Sequence, residues 1–273
     1  CNTLVDRIVP GVQKEKLPEV WESLGYEDHL VTEGEPYHLW VIEAPDSVAK
    51  ALPLQEVGLN VVYTNNLEPY RKQKVRILNG SHTSIVPVGY LSGLRIVRDT
   101  VNDQAMGKFL SQLLSKEILP VIDMPAEQVE AYANTVIDRF KNPYIDHYLI
   151  SIALNSFSKF KSRLLPSAID YFSKYNQPPE GISFALACTI LFYKGEYDGE
   201  EIALKDDQLV LDKLKSLWAN HADEPEKVVQ SILRWSDFWG QDLSSYKGFK
   251  ELVIKFIKEI MSEGVSVSLK RIL

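Results

Sequence analysis

Lys74, Asn79 and His82 stand within the stretch KVRILNGSHTSIVPVGYLSG, residues 74–93, which is otherwise mostly apolar. At about 100° per residue, an α-helix would carry Lys74, His82 and Asn79 at roughly 0°, 80° and 140°, on one side. Val75, Ile77 and Leu78 are interleaved with them, so this side is expected to face the interior. An amine, an amide and an imidazole turned inward together each need a hydrogen-bond partner. A desolvated lysine also holds its proton less tightly, its pKa falling from about 10.4 toward neutrality. Such a lysine can give or take a proton, and a neighbouring amide can donate to an oxyanion. That is the chemistry of a carbonyl–alcohol interconversion. The same residues also fit a plain structural role, with the lysine snorkelling and the asparagine and histidine satisfied in the core or at a cap. Gly80 costs an uninterrupted helix about 1 kcal/mol relative to alanine, so the helix could instead start near Asn79 with Lys74 on the approach.

Composition narrows the classes. A chain of 273 residues suffices for one large domain or two modest ones, and 45% hydrophobic with 25% charged residues is the balance of a soluble globular protein. A net charge of -7 and a pI near 5.4 argue against nucleic acid as a partner. They leave room for an anionic small molecule in a locally basic cleft. Two cysteines, Cys1 and Cys188, are too few for a disulfide framework and fit a reducing cytoplasm, so a cytoplasmic location is expected. No sorting peptide accompanies Cys1 to suggest lipid attachment. No apolar run is long enough for a membrane span, and no HExxH or CxxC marks a metal site.

The elements that must position these residues fall into two stretches. In residues 1–64, VDRIVPG reads as the end of an element followed by a turn, and HLWVIEA and GLNVVYT as strands. Prolines at 10, 18, 36, 45 and 53 argue against long helices there. From Asn65 onward the chain reads as helical. VNDQAMGKFLSQLLSKEILP carries a stripe of Met106, Phe109, Leu110, Leu113 and Leu114, ended by Pro120. A further helix near Pro125 sets Val129, Ala133, Val136, Ile137 and Phe140 along one face. GISFALACTILFYKG reads as a strongly buried helix. The aromatic residues Trp218, Trp235, Phe238 and Trp239 are assigned to the core.

Lys-x4-Asn-x2-His ahead of an apolar helix resembles the signature of the mannitol dehydrogenase family, the polyol-specific long-chain dehydrogenases. CNTLVDRIVPG at the start and NPYIDHYLISIALNSFSKFKSRLLP at 142–166 resemble the same family, in the same order, nearest in wording to its hexuronate-reducing members. The resemblance implies a mainly α fold, the C-terminal multi-helix domain of a long-chain dehydrogenase, preceded by the α/β tail end of a Rossmann-type domain. Residues 1–64 would be that tail and junction, and 65–273 the helical substrate domain. It implies NAD as cofactor, bound mainly by a domain of roughly 200 residues expected ahead of Cys1. No G-x-G-x-x-G occurs in the sequence itself. It also implies a reversible reduction of a small-molecule sugar acid without a metal.

Site residues carry over position by position. Lys74, Asn79 and His82 would be catalytic, Asn2 would bind cofactor, and Asp6 and Lys159 would bind substrate. Ser151 stands where the polyol-oxidising members place arginine, a departure that favours a sugar acid over a polyol. His147 lies one turn before Ser151 and is included with it. Taken without the resemblance, Asp6 next to Arg7 suits a local ion pair or cap, and His147 suits the surface or a cap. Asn155 and Lys159, four apart, are expected on one helix face, and Lys161 and Arg163 are expected in solvent. A reading from another class is a non-catalytic helical assembly module, which would have no use for the inward lysine.

Overall fold

The β-branched and aromatic runs near the start of the chain pair into a small sheet. The computed structural model describes residues 2–273, so Cys1 lies outside them. Strands β1 (Asn2–Asp6), β2 (Leu39–Glu43) and β3 (Val61–Thr64) take the order β1-β2-β3. The first pair is antiparallel, with Leu4 opposite Val41. The second is parallel, with Trp40 opposite Val61. Ile42, Ala44 and Val61 are buried together, covered by Trp40, Val48, Leu54 and Tyr63. Helices here are short, α1 (Leu17–Leu24), α2 (Asp46–Ala51) and α3 (Glu68–Gln73). Sequence reading passed over α1. Pro18 does not break this helix but sits in its first turn, where its missing N–H is no loss, and Gly25 closes it at φ 79°.

By packing, the chain forms two compact units, one running to Lys74 and including Asn142–Asp146, the other comprising Val75–Lys141 and His147–Leu273. We propose 64/65 as the point where a nucleotide-binding fold gives way to a substrate domain. The whole is mainly helical with a small α/β region at its start.

In the second unit α4 (Gly80–Leu91) and α11 (Glu180–Phe192) are almost wholly buried on every side, α4 carrying Ser81, His82, Thr83 and Ser84 inward with its apolar residues. Helices of that kind belong at a core's centre. α4 packs on α11, and α11 on α15 (Phe249–Glu263). Around them run α5 (Val97–Asn102), α6 (Gln104–Gln112), α7 (Ala126–Phe140), α8 (Leu149–Ile152), α9 (Ser156–Arg163), α10 (Leu165–Tyr175), α12 (Gln208–Asn220), α13 (Pro225–Leu233), α14 (Ser236–Trp239) and α16 (Val265–Arg271). Among the described residues no helix is long and apolar enough to cross a membrane.

The stripe from Met106 to Leu114 is buried as expected but is not one helix. Asp103 takes extended backbone and caps α6 by accepting from Ala105 and Met106 N–H, which separates α5 from α6. After α6 comes a π-helical turn, Leu113–Ile118. It turns Glu117 inward, where the two carboxylate oxygens accept from the N–H groups of Gly181 (2.6 Å) and Ile182 (2.9 Å) at the start of α11. Burial lifts the Glu117 carboxyl to about 7, the bonds from Gly181 and Ile182 working the other way. Of the four aromatic residues assigned to the core, Trp218 and Trp239 are buried. Trp235 and Phe238 are only half-buried, stacked on each other at 4.7 Å.

Candidate active site

Helix α3 runs without a break into a π-helical turn, Lys74–Asn79, and that turn into α4. The α-helical angles used on the sequence therefore do not hold across residues 74–79, because a π turn hydrogen-bonds over five residues rather than four. Single π turns inside α-helices recur at functional sites. Lys74 is half-buried at the end of the first unit. In that unit Asp6 is 1% exposed at the end of β1, whereas Asn2 is exposed at its start, with its amide 3.5 Å from a Glu43 carboxylate oxygen.

In the second unit His82 is 6% exposed, with Phe140 and His147 against its ring. Its ring stacks on Phe140 at 4.1 Å between centroids and meets the His147 ring edge-on at 5.2 Å. His82 Nε2 is buried and has no hydrogen-bond partner among the described residues. Burial drives the His82 pKa well below its ordinary value, assisted by the charges of His147, Arg163, Arg139 and Lys159. The imidazole is thus neutral, with a buried nitrogen left unbonded. Asn79, half-buried one turn earlier, uses its carbonyl to accept from Thr83 Oγ1 at 2.8 Å. Its side-chain amide is bonded to no described residue.

His147 is fixed by its backbone. Its carbonyl accepts from Val97 N–H at 2.9 Å, Leu149 N–H donates to Arg95 at 2.8 Å, and Ile96 bridges Tyr148 between them. Such a two-sided backbone clamp holds the ring against His82. The surface or capping role read from the sequence is therefore replaced by a half-buried contact, and burial, then the charge of Lys159, lowers His147 to about 4.

Asn155 and Lys159, expected on one helix face, are separated by a break in the helix. α8 has only four residues, and Asn155 turns left-handed at φ 55° before α9 begins. Ser151 is exposed on α8 and so does not share a helix with Lys159. Asn155 likewise precedes α9 instead of lying on its face, accepting the Lys159 N–H at 2.9 Å. Lys159 is half-buried, its Nζ donating to the Ile152 carbonyl at 2.7 Å. Burial, then the charge of Arg163, lowers it to about 8, with Asp206 acting in the opposite sense. Lys161 is exposed as expected, but Arg163 is half-buried.

Three contributors were missed from the sequence. Phe140 had been assigned to the core without a role, Arg139 is buried within reach of His82's electrostatics, and Arg163 was left to solvent. Arg139 was findable. It lies three residues after Val136 and beside Phe140, on the buried stripe of α7.

Against known proteins, residues 66–261 match the mannitol dehydrogenase C-terminal domain. The chain belongs to the mannitol dehydrogenase family. Altronate oxidoreductase of Bacillus subtilis (strain 168) is 42% identical over 271 residues, 99% of this chain and 55% of the relative. That of Enterobacter sp. (strain 638) is 38% identical over 275 residues, 100% of this chain and 57% of the relative. The chain thus spans little more than half the length of these curated relatives. A structure of Pseudomonas fluorescens mannitol 2-dehydrogenase, a ternary complex with NAD and D-mannitol, superposes with a TM-score of 0.84 at 22% identity, over 99% of this chain and 54% of the other. At that identity the likeness speaks for the fold. The matched mannitol dehydrogenase domain takes in Lys74, Asn79, His82, His147, Ser151 and Lys159, whereas Asn2 and Asp6 lie before it.

Proposed function

We propose that this chain is the C-terminal catalytic part of an NAD-dependent oxidoreductase that reversibly reduces tagaturonate to altronate. The carrying observation is the buried, partnerless Nε2 of neutral His82, set among cationic groups within a family of sugar dehydrogenases. The relatives named altronate oxidoreductase support the choice of sugar acid.

In this reading Lys74 is the general acid for reduction and the base for oxidation, its proton passing to or from the substrate oxygen. Asn79 donates its amide N–H to the same oxygen as charge develops there. His82 Nε2 hydrogen-bonds a neighbouring substrate hydroxyl and sets the sugar's orientation, with Lys159, His147 and Ser151 along the rest of the substrate. Asp6 is assigned to substrate as well. Neither β–α turn of the small sheet, 44–45 or 65–67, contains a glycine, so neither offers the close backbone approach a pyrophosphate needs. NAD is accordingly held mainly by chain outside these residues, with Asn2 reaching toward it. When bound, its nicotinamide supplies the hydride.

The test is a steady-state comparison of tagaturonate, fructuronate and fructose with the full-length enzyme, following NADH oxidation. Tagaturonate is expected to give the highest kcat/KM, and a preference for fructuronate would reassign the substrate. No turnover with any of them would leave the helical assembly module as the better reading.

A second expected result concerns His82 alone. His82→Phe keeps the stack on Phe140, so the protein should melt within a few degrees of the wild type. KM for the sugar acid should rise about tenfold, the loss of one hydrogen bond in a buried site. An unchanged KM would return His82 to a core role.

A further inference from the structure

The end of α9 lies against the first turn of α4. A Cβ built on Gly80 would sit 3.5 Å from the Arg163 carbonyl, which sets the Arg163 backbone beside the turn that carries His82, and the Arg163 charge reaches that ring. Arg163 follows Lys159 by four residues on α9, one turn along the same face. Its side chain is half-buried, and it forms neither an ion pair nor a hydrogen bond with any described residue. Lys161, on the same helix, is different: it is exposed and spends its Nζ on the Phe238 carbonyl. No acid forms an ion pair with either inward cation among the described residues. Asp206, the acid whose field reaches Lys159, accepts from the Tyr193 hydroxyl and from Asp207 N–H. A guanidinium withdrawn from water without a counter-charge is costly unless something else supplies one.

We propose that Arg163, flanked by Lys159, receives the carboxylate of the sugar-acid substrate beside His82. This rests on the substrate class proposed above and names the part of the site that reads it. The guanidinium fork matches a carboxylate with two parallel N–H bonds, which an ammonium cannot do. Lys159, already tied to the Ile152 carbonyl, adds charge without having to swing. The desolvated Arg163 and the lowered Lys159 are both relieved when an anion binds, so the arrangement discriminates against a neutral sugar of the same length. A site built for a polyol would gain nothing from this.

The test uses the full-length enzyme and its Arg163→Met and Arg163→Lys variants, with tagaturonate and the neutral ketose tagatose as paired substrates. Arg163→Met is expected to lower kcat/KM for tagaturonate by about 10- to 100-fold, mostly through KM, while tagatose changes by less than about twofold. Arg163→Lys should recover part of the loss. An equal fall on both substrates, or none on tagaturonate, overturns the proposal. Calorimetric binding of altronate and of its neutral counterpart altritol is measured alongside. If the wild type reduces no keto acid yet binds altronate more tightly, and Arg163→Met erases the difference, the reaction assigned above fails and the carboxylate subsite stands. If altronate and altritol bind alike, the subsite fails whatever the turnover.

Discussion

Lys74→Ala in the full-length enzyme is expected to lower kcat for tagaturonate reduction by about 10²- to 10⁴-fold, the span that a positioned general acid supplies. Binding should suffer less, because the contacts proposed for His82 and Lys159 remain. A small primary amine in the buffer should restore part of the lost rate, since it can occupy the vacated space and carry the same proton. Lys74→Arg should not rescue the enzyme, because a guanidinium stays protonated at working pH and gives up no proton. Steady-state NADH oxidation with and without added methylamine measures all three, and circular dichroism checks that the fold is kept. Turnover of Lys74→Ala within threefold of the wild type would remove the lysine from the mechanism, whatever the family.

Glu117→Ala is the substitution expected to cost the most stability. Two buried N–H groups at the start of α11, those of Gly181 and Ile182, would lose their acceptors. Each orphaned donor costs about 1–3 kcal/mol, so a loss of about 2–6 kcal/mol is expected. In a domain of this size that is roughly 5–20 °C in Tm. The same group makes stability depend on pH. The folded protein holds the Glu117 proton up to about 7, whereas an unfolded chain releases it near the ordinary carboxyl value of 4.5. Its contribution is therefore full below about 4.5 and declines as pH rises toward 7, at about 1.4 kcal/mol per unit and on the order of 3 kcal/mol in all. Glu117→Gln keeps one acceptor and cannot titrate, so it should flatten that decline. Urea melts of the three proteins at pH 5 and 7.5 measure both effects. A Glu117→Ala protein that melts like the wild type would show that α11 needs no cap.

Both predictions turn on residues inside π-helical turns, Lys74–Asn79 and Leu113–Ile118. Neither turn was visible in the sequence. Periodicity reports which positions are apolar, and a π turn leaves that pattern nearly intact while changing which side chains align. For the same reason α7 was read correctly, since it is regular and amphipathic from end to end. Asn155 was wrongly set on a helix face with Lys159 because it adopts a left-handed conformation that asparagine tolerates but does not announce.

By itself, the sequence determined the two candidate strands, the buried helix at 180–192 and the family. Those follow from local spacing and short motifs, which each segment carries with it. Only the tertiary structure decided that His147 would meet a ring 65 positions earlier, that His82 would rest on Phe140, and that Arg163 would be drawn out of water. These depend on how α4, α7 and α9 pack. Burial of a charge is a property of the assembled core, not of the residues on either side of it in the chain.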